Sequence, residues 1–388
     1  MDAYEVCKYL VETWPNRWTG SVGEKESGDW MEAQLAQMGY ETRQTRFDCP
    51  GWEYDVGKDE LHLGGKRLEA GAQYYSVGCD VTGALAAITP DGEGGFSGEV
   101  AGKVALDRET ETHEVTDRTP MLVALEHAGA KAAILVSEYD TTYSTKMFRT
   151  PESKLPAMGV SGEVGEQLYG ALGKEVRLVI HARQTTSTTS NVFGEKGPAD
   201  GPRILVCAHH EASPASPSAF DNASGIGVVL EMAQRFAAEE VGLRLGFVGW
   251  GGHEFGVYGS KSYVREYPDE IRQLKRTLVF DGVGAVGRVP RMTAWGSDAL
   301  KENVRGFAER MGAVFRAGTG RGGGDSSSFV PVGIESIGVG SAPAPGSERV
   351  PFHSPMDDMR WIGRKELAAY VELGCALVNE WLEESHSW

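Results

Sequence analysis

The stretch Arg203-Ile-Leu-Val-Cys-Ala-His-His-Glu211 constrains this chain more than any other. The unbroken apolar run from Ile204 to Ala208 has no polar face to offer water, so it suits an interior strand of a sheet covered on both sides. The run stops at His209, His210 and Glu211, and Phe220-Asp-Asn-Ala-Ser-Gly225 follows a short way downstream. Polar residues gathered at the C-terminal end of a buried strand are where open α/β sheets carry their sites. Side chains alternate along a strand, so His209 and Glu211 share one face and His210 looks the other way. Cys207 lies a step deeper, as a buried thiol.

The chain beyond this strand keeps the same habit. Strands are expected over 243–250, 277–280, 291–295 and 336–340, and long helices over 223–238, 298–311 and 364–384. Strands and helices alternating at this spacing predict an α/β fold with a doubly wound, mostly parallel sheet. Near the start, helical apolar spacing covers 4–13 and 28–38, with Gly39 as a stop, and 42–49 reads as a strand.

Beyond Asp55 the texture changes to short β-like runs broken by glycines, such as Gly83-Ala-Leu-Ala-Ala-Ile-Thr89 and Gly102-Lys-Val-Ala-Leu-Asp107. Helices over 121–128 and 163–172 and a strand over 132–136 complete this part, and the doubly wound pattern resumes after 176–182. Residues 55–185 therefore read as a β-rich domain inserted into a discontinuous one made of 1–54 and 186–388. The glycine run 318–324 lacks the Lys-Ser/Thr ending of a phosphate loop and joins no clear strand to a helix, so it reads as a loop beside the site.

With 388 residues, 41% of them hydrophobic, the chain can fill two cores. Its formal charge of −17 argues against nucleic acid or an anionic membrane as partner, since both reward clustered Lys and Arg. Cys7, Cys49, Cys79, Cys207 and Cys375 are scattered and odd in number, which predicts reduced thiols and a cytoplasmic protein. Neither a secretion signal nor a stretch of about 18 apolar residues is visible. Oligomeric state is not legible, and a homo-oligomer stays open.

The polar residues at the expected strand ends form a set. They are His209 and Glu211, then Asp221, then His253 and Glu254 after the strand ending at Trp250, then Asp281, and last His353 in Pro351-Phe-His-Ser-Pro-Met-Asp357. Imidazoles mixed with carboxylates suit two borderline divalent cations bridged by one carboxylate. Glu211 stands where the second ring N–H of His209 finds an acceptor, and Asp357 where it supports His353. Zinc is the expected metal, although the ligand types leave manganese and cobalt open.

These segments resemble metallopeptidase family twenty-eight, the co-catalytic zinc aminopeptidases and their glutamate-carboxypeptidase relatives. Ala208-His-His-Glu211 is similar to the family's Ala-His-x-Asp strand end, and Phe220-Asp-Asn-Ala-Ser-Gly225 to its bridging segment. Gly252-His-Glu-Phe-Gly-Val-Tyr-Gly-Ser260 resembles its Glu-Glu-x-Gly-Leu-x-Gly-Ser signature, and Phe280-Asp281 and Phe352-His-Ser-Pro-Met-Asp357 the last two ligand segments. The inserted part is similar to a protease-associated domain. The resemblance implies that His209 and Asp281 bind one metal, that Glu254 and His353 bind the other, and that Asp221 bridges. It also implies a substrate pocket near Asp325-Ser-Ser-Ser-Phe329, with Asp325, Ser326 and Phe329 as lining, against a simple helix N-cap as the alternative. Arg321 reads first as an exposed loop residue and second as a candidate for a substrate carboxylate.

Two departures stand out. The family has Glu where this chain has His253, and that Glu takes a proton from the attacking water and returns it to the leaving amine. It has Asp where this chain has Glu211. A general base is worth ~10²- to 10⁴-fold in rate, so the first change bears on the chemistry itself. Three readings stay open: His253, with Glu211 as the matching adjustment, serves an altered hydrolase; the metals suffice and His253 only packs; or the site binds metal and ligand without turnover. The expected substrate is a small peptide or amino-acid amide, with a non-peptidic amide hydrolase or deaminase as the alternative.

Overall fold

The computed structural model describes residues 1–108, 118–145 and 151–385. Its larger sheet has strands β1 (Glu41–Tyr54), β2 (Ala182–Lys196), β3 (Arg203–His209), β4 (Arg244–Trp250), β5 (Leu274–Phe280), β6 (Arg288–Trp295), β7 (Val314–Ala317) and β8 (Glu335–Pro343). Their order across the sheet is β1-β2-β4-β3-β5-β8-β6-β7. The centre, β4-β3-β5-β8, is parallel, as is β6 with β7. The pairs β1–β2, β2–β4 and β6–β8 are antiparallel, so the α/β sheet is parallel where its C-terminal ends carry the site and mixed outside it.

Alternation along β3 explains the unbroken apolar run. Ile204, Val206 and Ala208 join a core built with helices α1 (Ala3–Thr13), α2 (Val22–Gln37), α3 (Ser224–Phe236), α4 (Asp298–Met311) and α5 (Arg364–Glu384). Leu205 and Cys207 join a second core on the opposite face, with Trp250, Tyr263 and Phe329. Each large apolar side chain buried this way contributes about 1.5–3 kcal/mol, and a polar residue on either face would forfeit it.

Two elements depart from expectation. Helix α2 starts upstream of the apolar spacing because Ser21 caps it, its Oγ accepting from the Glu24 N–H at 3.0 Å, while the buried Glu24 carboxylate accepts from Gly20 and Thr189. Strand β2 was not foreseen, since Gln184-Thr-Thr-Ser-Thr-Thr-Ser190 carries no apolar alternation; backbone pairing with β1 along its whole length holds it.

Between β1 and β2 a second eight-stranded sheet lies over a separate core that includes Leu61, Val104, Ile134, Met158 and Leu178. The strand expected over 132–136 is Ala132–Val136, and the two expected helices are Thr119–His127 and Gly162–Tyr169. This part touches the loop that carries His353. The Thr145 N–H donates to the His353 carbonyl at 2.9 Å, and Tyr139 lies beneath the Arg349 guanidinium. Among the described residues no helix is long and apolar enough to cross a membrane.

Candidate metal centre and active site

The C-terminal ends of β4, β3 and β5 lie side by side, so the residues that follow Trp250, Ala208 and Phe280 converge. Asp221 stands at the middle of what they form. One of its carboxylate oxygens is 2.9 Å from His209 Nε2, and the other is 2.8 Å from His353 Nε2. His209 Nε2 is also 3.7 Å from Asp281 Oδ1, and His353 Nε2 is 3.3 Å from Glu254 Oε2. The carboxylate thus spans two His–carboxylate pairs, one oxygen to each.

Local structure holds this carboxylate in place. Asp357, fully buried, accepts from the Phe220 N–H at 2.7 Å and the Asp221 N–H at 3.1 Å. The Asn222 side chain donates to the Phe280 carbonyl and accepts from the Gly225 N–H, tying the segment to the end of β5 and the start of α3. Gly225 is required here, because a Cβ would lie 2.3 Å from Asn222 Oδ1. His353 adopts a left-handed backbone, φ 55°, a costly conformation for a non-glycine residue and one that gathers at functional sites.

His253 lies flat against His209, the ring centroids 4.0 Å apart and the planes 9° from parallel. Its Nδ1 is 2.8 Å from Asp325 Oδ2, and Asp325 Oδ1 accepts from the Ser260 hydroxyl at 2.6 Å. The other ring nitrogen, Nε2, is 3.7 Å from Asp281 Oδ2. Gly324 makes room for both, since a Cβ there would stand 3.3 Å from Asp281 Oδ2 and 3.4 Å from His253 Cε1. Asp221, His253, Glu254, Asp281 and His353 open on one cavity of about 690 Å³, a size that suits a small ligand.

The donor set fits two cations. His209, His253 and Asp281 offer ligand atoms all within 4.8 Å of one another, and so do Asp221, Glu254 and His353. Burial disfavours positive charge on His209, yet Glu211, Asp221 and Asp281 outweigh it and raise its pKa well above the ordinary value. Burial likewise works against ionised Asp221, but His209 and His353 hold it well below the usual carboxylate range. The cluster as built draws positive charge inward, and divalent ions on mixed imidazole and carboxylate donors answer that demand.

The sequence-predicted residues fall into two groups. His209, Asp221, Glu254, Asp281 and His353 come together. His210 turns away, its Nε2 donating to the Ser190 carbonyl at 2.9 Å. Glu211, expected at the chemistry, is fully buried behind His209 and does not line the cavity. Its carbonyl is 3.1 Å and its carboxylate 3.3 Å from His209 Nδ1, and its Oε1 accepts the Glu254 N–H at 2.6 Å. Glu211 therefore positions one ligand from each cation site. Asp357, expected behind His353, holds the Asp221 segment by its backbone instead.

The residues expected to line a substrate pocket do not line this cavity. Asp325 is buried with both carboxylate oxygens engaged by His253 and Ser260; Ser326 Oγ accepts from Ser336 Oγ at 2.8 Å; Phe329 packs on Trp250 in the core. Arg321 is exposed in its loop and does not line the cavity. A short helix, Ser326–Phe329, begins directly after Asp325, and none of Asp325, Ser326 and Phe329 lines the cavity. The wall contains Arg288, Arg291 and Arg349. Nothing in the sequence singled them out, since their place depends on how β6 pairs with β8.

Comparison with known proteins finds likenesses in both sequence and fold. A model described as peptidase family M28 matches residues 191–378. Aminopeptidase YwaD of Bacillus subtilis (strain 168) is 28% identical over 400 residues, covering 97% of this chain and 84% of its own. The crystal structure of BSAP, a zinc aminopeptidase from Bacillus subtilis, superposes with a TM-score of 0.80 at 25% identity, covering 98% of this chain and 94% of that one. A peptidase M28 precursor from Shewanella amazonensis SB2B shares the fold, with a TM-score of 0.83 at 19% identity over 97% of this chain and 91% of its own.

Proposed function

Because the chain belongs to peptidase family M28, we propose that it is a metal-dependent hydrolase of the aminopeptidase type, cleaving an amide of a small peptide or amino-acid conjugate. The observation that carries this reading is the Asp221 carboxylate, one oxygen on His209 and the other on His353. His209 and Asp281 would hold one ion, Glu254 and His353 the other, and Asp221 would bridge them. Zinc, the metal of the similar aminopeptidase BSAP, fits these donors. When bound, two such ions supply Lewis acidity toward a carbonyl and make water a better nucleophile near neutral pH.

The chain itself supplies orientation and proton transfer. With a hydrogen on Nδ1 directed at Asp325, His253 keeps Nε2 as an acceptor turned toward Asp281. Nε2 would take the proton of the attacking water and return it to the departing amine, while Asp325 stabilises the imidazolium formed in between. Burial and the neighbouring His209 disfavour that cation, but Asp325 and Asp281 outweigh them and raise the His253 pKa.

A second reading has a specific observation behind it. His253 Nε2 lies close enough to His209 and Asp281 to be a third ligand of their ion, which would leave the chain without a base at that position. We read residues 55–185 as a protease-associated insert that limits substrate size, and the five free cysteines as support for a cytoplasmic setting.

The test is metal content and hydrolysis together. The purified protein is expected to carry two equivalents of metal and to cleave amino-acid amides or dipeptides, and Asp221→Asn to lose both properties. A chain that binds two equivalents and cleaves no amide in a broad panel would overturn the hydrolase reading and leave a binding protein.

A further inference from the structure

Arg288 and Arg291 differ from the other arginines that this fold draws inward. Arg43 grips Glu270 with two hydrogen bonds of 2.7 and 2.6 Å, Arg203 pairs with Glu195 and Glu270, Arg244 with Glu41, and Arg276 with Glu335 and Glu384. Arg17, fully buried, donates to the carbonyls of Trp14, Pro217 and Ser218. Arg288 and Arg291 are half-buried in the wall of the metal cavity, and among the described residues neither has an ion pair or a side-chain hydrogen bond. The Nε of each is buried and without a partner.

The surroundings sharpen the contrast. Arg349 lines the same wall, but its charge is taken by Glu138. Arg291 faces Gly340 across the β6–β8 ladder, where a Cβ would stand 3.2 Å from its Nη2 and 3.1 Å from the Asp281 carbonyl oxygen. The missing side chain is what lets this guanidinium lie beside the residue that follows β5 and faces His209. Burial lowers the pKa of both arginines, and the charge of Arg349 adds to this at Arg288 and that of Arg316 at Arg291, so the chain concentrates like charge here against its own preference. A guanidinium stays protonated regardless, and its forked donors match a carboxylate. Asp281 offsets the charge of Arg291 only in part, since burial and Arg316 still leave its pKa lowered. In a protein of net charge −17, two guanidinium groups without an ion pair among the described residues, in the cavity onto which Asp221, Glu254, Asp281 and His353 open, point to a ligand that brings the anion.

We propose that Arg288 and Arg291 form a carboxylate-binding subsite, so that the substrate is a small amide bearing a free carboxylate beyond the bond that is cut. This rests on the hydrolase reading and adds the substrate's chemical class. The carboxylate has two sources, the C-terminus of a short peptide or an acidic side chain, and both present the same planar acceptor.

The experiment uses the metal-loaded protein with alanyl-alanine, its C-terminal amide, and the amides of alanyl-aspartate and alanyl-asparagine. Charged groups held by Arg are worth about a tenfold to hundredfold preference. If the C-terminus is the source, kcat/KM for alanyl-alanine exceeds that of its amide by this factor; if a side chain is, alanyl-aspartate amide exceeds alanyl-asparagine amide. In the double variant Arg288→Gln/Arg291→Gln the favoured ratio falls to near one, while Arg→Lys at both positions retains part of it, and unchanged melting temperature and metal content show that the fold is intact. Equal rates within both pairs, or a preference that survives in the double Gln variant, would overturn the proposal. If no substrate is cleaved, the hydrolase reading falls by itself, and calorimetric binding of the same two pairs decides the arginine subsite by the same ratios.

Discussion

Asp325 Oδ2 lies 2.8 Å from His253 Nδ1, and its second oxygen accepts from Ser260, so a buried carboxylate orients the imidazole that stands where the family resemblance implies a glutamate. Burial alone would push the Asp325 pKa up, but His253 and Ser260 hold it below the ordinary value. Changing that carboxylate separates the two possible duties of His253. Asp325→Asn keeps the shape and removes the charge that stabilises an imidazolium. If His253 is the base, kcat falls roughly 10²-fold or more while bound metal stays at two equivalents. If His253 is a ligand, its support is lost and affinity for one ion weakens about 10- to 100-fold. Steady-state kinetics beside metal analysis reads the difference.

His253→Ala and His253→Glu make a sharper pair. A carboxylate at this position supplies the acceptor that the family resemblance implies, so under the proposed function His253→Glu is expected to retain or raise amide hydrolysis. His253→Ala is expected to lose ~10²- to 10⁴-fold. Visible spectra of the cobalt-substituted protein report ligation independently of turnover. A spectrum unchanged in His253→Ala places the imidazole outside the coordination sphere.

How far the sequence carried is seen best at particular residues. Strand β3 was legible because both of its faces are buried and the run of apolar residues says so directly. His209, Glu254 and Asp281 were legible because they stand at or just beyond the ends of β3, β4 and β5, and Asp221 and His353 because they lie in recognisable segments of the loops that follow. Strand β2 was not, since its Thr- and Ser-rich half is held by backbone pairing that leaves no hydrophobic period to read. Asp325 was placed beside the site by its motif, but its contact with His253 joins segments 72 residues apart and leaves no mark in the spacing. Arg288 and Arg291 were invisible: only the β6–β8 register, with Gly340 opposite Arg291, carries them to the cavity.

The second sheet offers a pH test away from the metals. Asp107 is buried, its Oδ2 3.6 Å from Arg118 Nη1 and its Oδ1 without a hydrogen bond among the described residues. Burial raises its pKa from 3.8 to about 6, and Arg118 only partly opposes this. The folded state thus holds the proton more tightly than the unfolded chain, and the stability this contributes is present below about pH 4 and lost as pH rises through about 6. Asp107→Asn cannot ionise, so the melting temperature of the variant relative to wild type is expected to rise between about pH 4.5 and about pH 7.5. A difference that stays flat across that window would remove Asp107 as its source.

Gly225 links the start of α3 to the bridging carboxylate through a single close approach. A methyl group there would sit 2.3 Å from Asn222 Oδ1 and 2.8 Å from its Cγ, within a segment whose neighbours are all buried. Asn222 cannot yield without giving up its bonds to the Phe280 carbonyl and the Gly225 N–H, and the adjacent Asp221 moves with it. Overpacking of this kind costs typically ~1–3 kcal/mol, so Gly225→Ala is expected to fold with a lower melting temperature. The larger effect should fall on metal: displacing Asp221 disturbs both halves of the centre at once, whereas Asp281→Ala or Glu254→Ala removes a ligand from one. Gly225→Ala is therefore expected to weaken both binding steps in a calorimetric titration, and each ligand variant only one. If Gly225→Ala weakened a single step, Asp221 would not be the bridge.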